Sequence, residues 1–158
     1  MKQVTIHTDG SCETQTGEGG WAFTLSTHTD SGEFRLIKSG YEANTTNNRM
    51  ELYAAVAALR ELSERCEVRI VTDSQYLKNA FTAGWLANWQ RNGWRTANRQ
   101  PVKNRDLWET LLELEKQHHI TWAWTRGHVG HDGNEEVDSL ALAARKTRQG
   151  VTRREQRN

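Results

Sequence analysis

The chain has 158 residues, 26% of them charged and 35% apolar, with a formal net charge of +1, which suits one globular domain able to bury about 68–70% of its unfolded surface. No stretch approaches the roughly 20 consecutive apolar residues of a membrane helix, and the opening MKQVTIHTDG alternates in polarity where an export signal would carry an apolar block. A soluble, cytoplasmic protein without a membrane partner is therefore expected.

Two cysteines, Cys12 and Cys66, lie far apart in sequence and form no CxxC pair, so reduced thiols are expected. The small net charge hides a split. Residues 1–73 hold 7 basic and 11 acidic side chains, whereas residues 74–158 hold 14 and 9, and charge sorted in this way points to an anionic partner.

In chain order, Val4, Ile6 and Thr8 alternate with Thr5 and His7, which predicts a strand over residues 3–8 closed by the turn signal Asp9-Gly10-Ser11. Gly19-Gly20 opens a second alternating run with Trp21, Phe23 and Leu25 on one face, and Ser31-Gly32 separates it from a third around Phe34 to Ile37. The period then changes. Leu52, Val56, Leu59 and Leu62 recur every three to four residues after a polar entry at Asn44 to Asn48, which predicts a helix of about four turns. Val68, Ile70 and Val71 form a short strand ending in Thr72-Asp73-Ser74, followed by helical stretches near 74–83 and 84–91. Asp106 to Gln117 reads as a further helix, Ile120 to Thr125 as a last strand, and Asn134 as the cap of a final helix with Val137, Leu140, Ala141 and Ala144 on one side. This order predicts an α/β domain over residues 1–147, with helices packed on a mixed sheet. Residues 148–158, basic and poor in apolar side chains, are expected to form a disordered tail.

Thr8-Asp9-Gly10-Ser11 and Thr72-Asp73-Ser74 put a carboxylate at two strand ends, where open α/β sheets place their ligand crevice. Taken singly, each Asp is explained as a turn former, and Glu51, in the first turn of the long helix, as a dipole-satisfying residue. Asp138 is more informative. Its i+3 and i+4 neighbours are Ala141 and Leu142, so the carboxylate lies on or beside an apolar helix face, where it needs a partner. Four converging carboxylates would repel one another unless about two hard divalent cations shared the site, and oxygen ligands suit Mg²⁺ or Mn²⁺ better than Zn²⁺. A zinc site from His128, His131 and the cysteines lacks the usual ligand spacing.

Gly127 to Gly133 is a glycine-punctuated segment ahead of the helix that carries Asp138, and His128 within it is suited to proton transfer, in preference to His131. Residues 74–105 contain no acidic residue but carry Lys78, Arg91, Arg95, Arg99, Lys103 and Arg105 interleaved with Trp85, Trp89 and Trp94. Gly93 and Pro101 break any continuous helix there. The stretch reads either as a solvated face whose tryptophans reach back into the core, or as a protruding surface for gripping phosphates and stacking on sugars.

Taken together, TDGSC (8–12), TTNNRMEL (45–52), TDSQY (72–76), NW…GW…PVKN (88–104) and GHVGHDGNEEVD (127–138) resemble bacterial ribonuclease H of type 1 across about residues 3–146. The resemblance implies a five-stranded mixed sheet flanked by helices, with a basic helical protrusion at residues 85–103. It also implies endonucleolytic hydrolysis of the RNA strand of RNA–DNA hybrids, largely independent of sequence, by a monomer that leaves 5′-phosphates and uses two Mg²⁺ ions, with Mn²⁺ as an alternative. By motif position, Asp9, Glu51, Asp73 and Asp138 correspond to the metal-binding catalytic carboxylates. His128 corresponds to a mobile histidine that assists proton transfer or product release, and Glu135 to an acidic residue that helps product leave. Cys12, Asn47, Asn48 and Gln75 fall where the family contacts the hybrid, Thr46 and Asn104 where it holds a DNA phosphate, and Trp85 where it packs on a DNA sugar. Arg91, Arg95, Arg99 and Lys103 belong to the protrusion. The chain departs from the family at Thr14 to Gly20, where Gln15 replaces an RNA-contacting Asn, and at Asn44, which replaces an Arg of the phosphate pocket. A non-catalytic hybrid-binding module and another two-metal nuclease of the same architecture are the alternatives; the intact carboxylate set opposes the first and the short chain opposes the second.

Overall fold

The computed structural model describes residues 1–125 and 132–158. Its elements are β1 (Lys2–Cys12), β2 (Gly19–Thr29), β3 (Gly32–Glu42), α1 (Asn47–Arg60), β4 (Cys66–Thr72), α2 (Gln75–Thr82), α3 (Trp85–Arg91), α4 (Arg105–Lys116), β5 (His119–Trp124), α5 (Asp132–Thr147) and β6 (Thr152–Arg157). Among the described residues no helix is long and apolar enough to cross a membrane.

The period-2 patterns sort the sheet into two faces. Val4, Ile6, Trp21, Phe23, Val68 and Ile70 turn to one face and join Leu52, Val56 and Leu59 of α1 with Leu107, Trp108 and Leu111 of α4 in the main core. Each fully buried aliphatic side chain there contributes about 1.5–3 kcal/mol relative to exposure. The other face is covered by α5, whose Val137 and Ala141 pack on Ala22. Close approach is possible because of Gly20: a Cβ there would lie 2.2 Å from the Ala141 carbonyl oxygen and 2.8 Å from the Arg145 nitrogen.

Strand order is β5-β4-β1-β2-β3-β6. β1 pairs with β4 in parallel and with β2 antiparallel, but the two pairings differ in length. The parallel ladder stops at His7↔Val71, whereas the antiparallel one continues through Asp9↔Ala22 to Cys12↔Gly19. Asp9-Gly10-Ser11 is thus not a turn but the far half of an eleven-residue strand. Past His7, β1 parts from β4, and Asp9 borders the opening at the carboxyl end of β4.

Three further expectations need correction. Helix α1 starts at Asn47 with Thr46 as its cap and has no acidic residue in its first turn, so Glu51 begins the second turn and a dipole role no longer accounts for it. Helix α5 starts at Asp132, which puts Asn134 inside the helix, where it is buried, instead of at the cap.

The sheet has six strands, not five, because the expected disordered tail supplies β6. Thr152 to Arg157 pairs antiparallel with β3 from Lys38 to Glu33, and the Val151 N–H donates to Ser39 Oγ at 3.0 Å. A strand this poor in apolar residues escapes a hydrophobicity pattern because it is held by backbone pairing and ion pairs at an edge.

Candidate active site

Four elements deliver the carboxylates. Asp9 comes from the part of β1 that still pairs with β2 but no longer with β4, Glu51 from α1, Asp73 from the residue after β4, and Asp138 from α5. Gly10 sets the spacing between the first two: a Cβ at that position would lie 2.5 Å from the Glu51 nitrogen and 2.7 Å from the Met50 carbonyl carbon. Only a residue without a side chain lets α1 come so close to β1. Ser74 caps α2 by accepting from the Leu77 N–H at 3.1 Å, which ends the β4 strand sharply after Thr72 and fixes Asp73 at the opening.

Asp9, Glu51 and Asp73 each offer an oxygen within 4.8 Å of the others, and Asp138 lies within hydrogen-bonding reach of Asp9. Asp9 is 3% exposed and Glu51 is 6% exposed. Burial, then the Asp73 charge and the Asp138 carboxyl, pushes the Asp9 carboxyl up to about 8, against the opposing effects of hydrogen bonds with Glu51 and with the Gly10 N–H, which donates to Asp9 Oδ1 at 2.9 Å. Burial, followed by the charges of Asp9 and Asp73, drives Glu51 well above the ordinary carboxylate range. Glu51 Oε2 is buried with no hydrogen-bond partner. Carboxyl oxygens crowded so closely that their ionised forms repel one another, one of them a buried atom without a partner, fit a hard divalent cation, which supplies the missing positive charge.

Asn47 and Asn48 open α1, Gln75 opens α2, and all three are exposed. The Cys12 thiol is half-buried, donates to the Thr45 carbonyl at 3.6 Å and is raised above its usual range by burial. Gln15 lies in a turn tied by the Gly17 N–H to the Glu13 carbonyl and by the Thr45 N–H to the Gly17 carbonyl, so the altered segment is closed against the entry to α1.

Thr46 Oγ1 accepts from the Arg49 N–H at 3.1 Å. Asn104 donates from Nδ2 to Tyr76 Oη at 3.2 Å and accepts from Arg49 at 3.3 Å. Arg49 also grips Asp106 with two bonds, at 3.0 and 2.6 Å, and this pairing holds the Asp106 carboxyl below its ordinary value. Sequence reasoning missed Arg49, Asp106 and Tyr76, whose partners are distant in the chain; the Arg three residues after a cap is too common a feature to have marked them.

The tryptophans of residues 85–103 reach back toward the core while the basic side chains stay at the surface. Trp85, Trp89 and Trp94 form a run of neighbouring rings with centroids 6.0 and 6.2 Å apart, and Trp89 continues it to the buried Trp108 at 5.9 Å. Arg91, Arg95, Arg99 and Lys103 stay exposed. Trp85, Trp89, Arg91 and Arg95 line a concavity of about 520 Å³. Glu135 is exposed on α5. His128 and His131 lie outside the described residues.

A mixed sheet that gathers Asp9, Glu51 and Asp73 beside the ends of its central strands defines an α/β domain with an acidic cluster able to hold a metal ion. Residues 1–146 match the family described as RNase H. The chain is 52% identical over 141 residues to a protein named Ribonuclease H from Nitrosococcus oceani, covering 89% of this chain and 92% of that one. It is 49% identical over 144 residues to another of that name from Moorella thermoacetica, covering 91% and 92%. Among solved structures, LC9-RNase H1, described as a type 1 RNase H with the type 2 active-site motif, superposes with a TM-score of 0.85 at 27% identity, over 100% of this chain and 79% of that one. The chain belongs to the ribonuclease H family.

Proposed function

We propose that this protein is a monomeric, cytoplasmic endonuclease that hydrolyses the RNA strand of RNA–DNA hybrids with Mg²⁺. The observation that carries the reading is the three-carboxylate cluster with an unsatisfied Glu51 oxygen, in a chain of this family. Asp9, Glu51, Asp73 and Asp138 would hold the cations, two during turnover and Mn²⁺ as a substitute. Bound there, they would activate water for attack on phosphorus and neutralise the departing oxygen. The catalytic unit spans residues 1–147.

The chain's own groups bind and orient. Cys12, Gln15, Asn47, Asn48 and Gln75 read the hybrid through sugar hydroxyls, which only the RNA strand carries at the 2′ position. Thr46 and Asn104, joined through Arg49, hold a phosphate of the DNA strand, and Trp85 packs on one of its sugars. Glu135 and His128 assist product departure and proton transfer. His128→Ala should slow turnover by about 10²-fold or more without abolishing it, while His131→Ala stays near parental; single-turnover rates at saturating Mg²⁺ measure both.

If Arg91, Arg95, Arg99 and Lys103 neutralise phosphates, replacing all four by Ala should raise KM most at low salt while kcat stays near parental, because the contact is equally strong before and in the transition state. An unchanged KM at low salt would mean that the hybrid is held elsewhere. Trp85→Ala should weaken binding with little change in salt slope. The reading as a whole is tested by incubating matched RNA–DNA, RNA–RNA and DNA–DNA duplexes with and without Mg²⁺. Only the hybrid, and only with metal, should be cut, leaving 5′-phosphates on the RNA. Binding of the hybrid without cleavage would favour a recognition module instead.

A further inference from the structure

The C-terminal strand and helix α5 are joined through one side chain. Arg35, on the α5 face of β3, is 13% exposed and donates from one guanidinium nitrogen to Glu155 of β6 at 2.8 Å and from the other to Glu136 of α5 at 2.5 Å. Glu33 stands 4.0 Å from its Nε. A guanidinium sunk among three carboxylates, with a separate fork for each of two, is a geometrically determined contact, unlike the loose pairs of an open surface.

Its place on α5 gives it a consequence for the site. Glu136 is one residue from Glu135 and two from Asp138, near the start of the helix. Further along, α5 is fixed by the contact of Ala141 and Arg145 with Gly20, by the bond from Arg145 Nε to Ser11 Oγ at 3.0 Å, and by Val137 and Ala141 on Ala22. Near its first residue, Gly133 meets the His7 ring, leaving no room for a Cβ. Those contacts face β1 and β2. Toward β3, Glu136 has the Arg35 guanidinium.

We infer that Arg35 is a positioning residue: held by Glu155 of the C-terminal strand, it fixes the first turns of α5 through Glu136 and so sets where Asp138 presents its carboxylate to the cation site. The inference rests on the reading of Asp138 as a metal-holding residue. Neither Arg35 nor the tail touches the reacting atoms.

The test measures Mg²⁺ binding by titration calorimetry without nucleic acid, together with kcat, KM and melting temperature, for the full-length parent and for Arg35→Ala, Arg35→Lys, Glu136→Gln and Glu155→Gln. Loss of an orienting contact of this kind should weaken Mg²⁺ binding about tenfold in Arg35→Ala and Glu136→Gln. In both variants kcat at fixed subsaturating Mg²⁺ should fall in step, while KM for hybrid changes less than about twofold. Arg35→Lys keeps one of the two bonds and should recover part of the loss. Glu155→Gln should give a smaller effect in the same direction, since Glu136 still holds the guanidinium.

Parental Mg²⁺ affinity in folded Arg35→Ala and Glu136→Gln would overturn the inference, as would a fall in melting temperature with no change in binding. Should Arg35→Ala not fold at the assay temperature, Glu136→Gln alone decides, because it keeps the shape of the side chain. A parent that binds Mg²⁺ but leaves hybrid uncut refutes the substrate reading and leaves the Mg²⁺ comparison to decide the role of Arg35. A parent that binds no Mg²⁺ refutes both.

Discussion

Asp9→Asn and Asp73→Asn should each abolish hybrid cleavage, and Asp9→Asn should at the same time make the metal-free protein more stable. Each substitution removes an anionic oxygen from a group of three that lie within 4.8 Å of one another, so the cation loses a ligand and the fold loses a repulsion. For Asp9 the sign can be worked out. Its folded carboxyl is raised from 3.8 to about 8, so the folded state binds the proton more tightly than the unfolded state does. The stability this contributes is present in full below about pH 4 and is lost as pH rises toward 8. Asn imitates the protonated acid at every pH. Metal-free melts of parent and Asp9→Asn should therefore coincide near pH 3.5 and diverge above it, with the variant higher by about 5–10 °C at pH 8. Saturating Mg²⁺ should close the gap by stabilising the parent alone. Substantial residual cleavage in either variant, or a parent that gains stability between pH 5 and 8 relative to Asp9→Asn, would count against the cluster as described.

Gly10→Ala should damage fold and activity together. The added Cβ would stand 2.5 Å from the Glu51 nitrogen and 2.7 Å from the Met50 carbonyl carbon, and these are backbone atoms of a helix with no flexible end to give way. Either α1 retreats or β1 bends, and both separate Glu51 from Asp9. Forcing a group into such packing costs about 3 kcal/mol or more, a fall in melting temperature of about 6–12 °C for a domain of this size. If Glu51 holds a cation as proposed, a displacement near 1 Å there should lower kcat by about 100-fold. Parental melting temperature and kcat in this variant would show that the close approach is not what sets the site.

Much of this was legible in the sequence. Alternation marked β1 to β3 and put Val4, Ile6, Trp21 and Phe23 on the face they occupy, because a half-buried strand must alternate. Asp9, Glu51 and Asp73, whose oxygens lie within 4.8 Å of one another, were singled out together with Asp138 by their positions in the predicted elements and by the motifs they share with the family. Other features left no local trace. β1 runs past its apparent turn because Asp-Gly-Ser favours a turn only when no partner strand competes, and β2 does compete. The tail becomes β6 through pairing with a strand more than a hundred residues earlier, with Arg35 joining it to α5. The double grip of Arg49 on Asp106 likewise spans α1 and α4, so neither residue's neighbours in sequence announce it.

Mg²⁺ titration at pH 7 in two buffers of different ionisation enthalpy tests the central claim most directly. If Asp9, raised to about 8 by burial and the Asp73 charge, stays largely protonated at pH 7 until a cation arrives, metal binding must expel protons, and the observed heat must depend on the buffer. Binding should release about one proton at pH 7 and less at pH 9, and Asp9→Asn should lose both binding and release. Buffer-independent heats, or equal Mg²⁺ affinity in parent and Asp9→Asn, would contradict that claim.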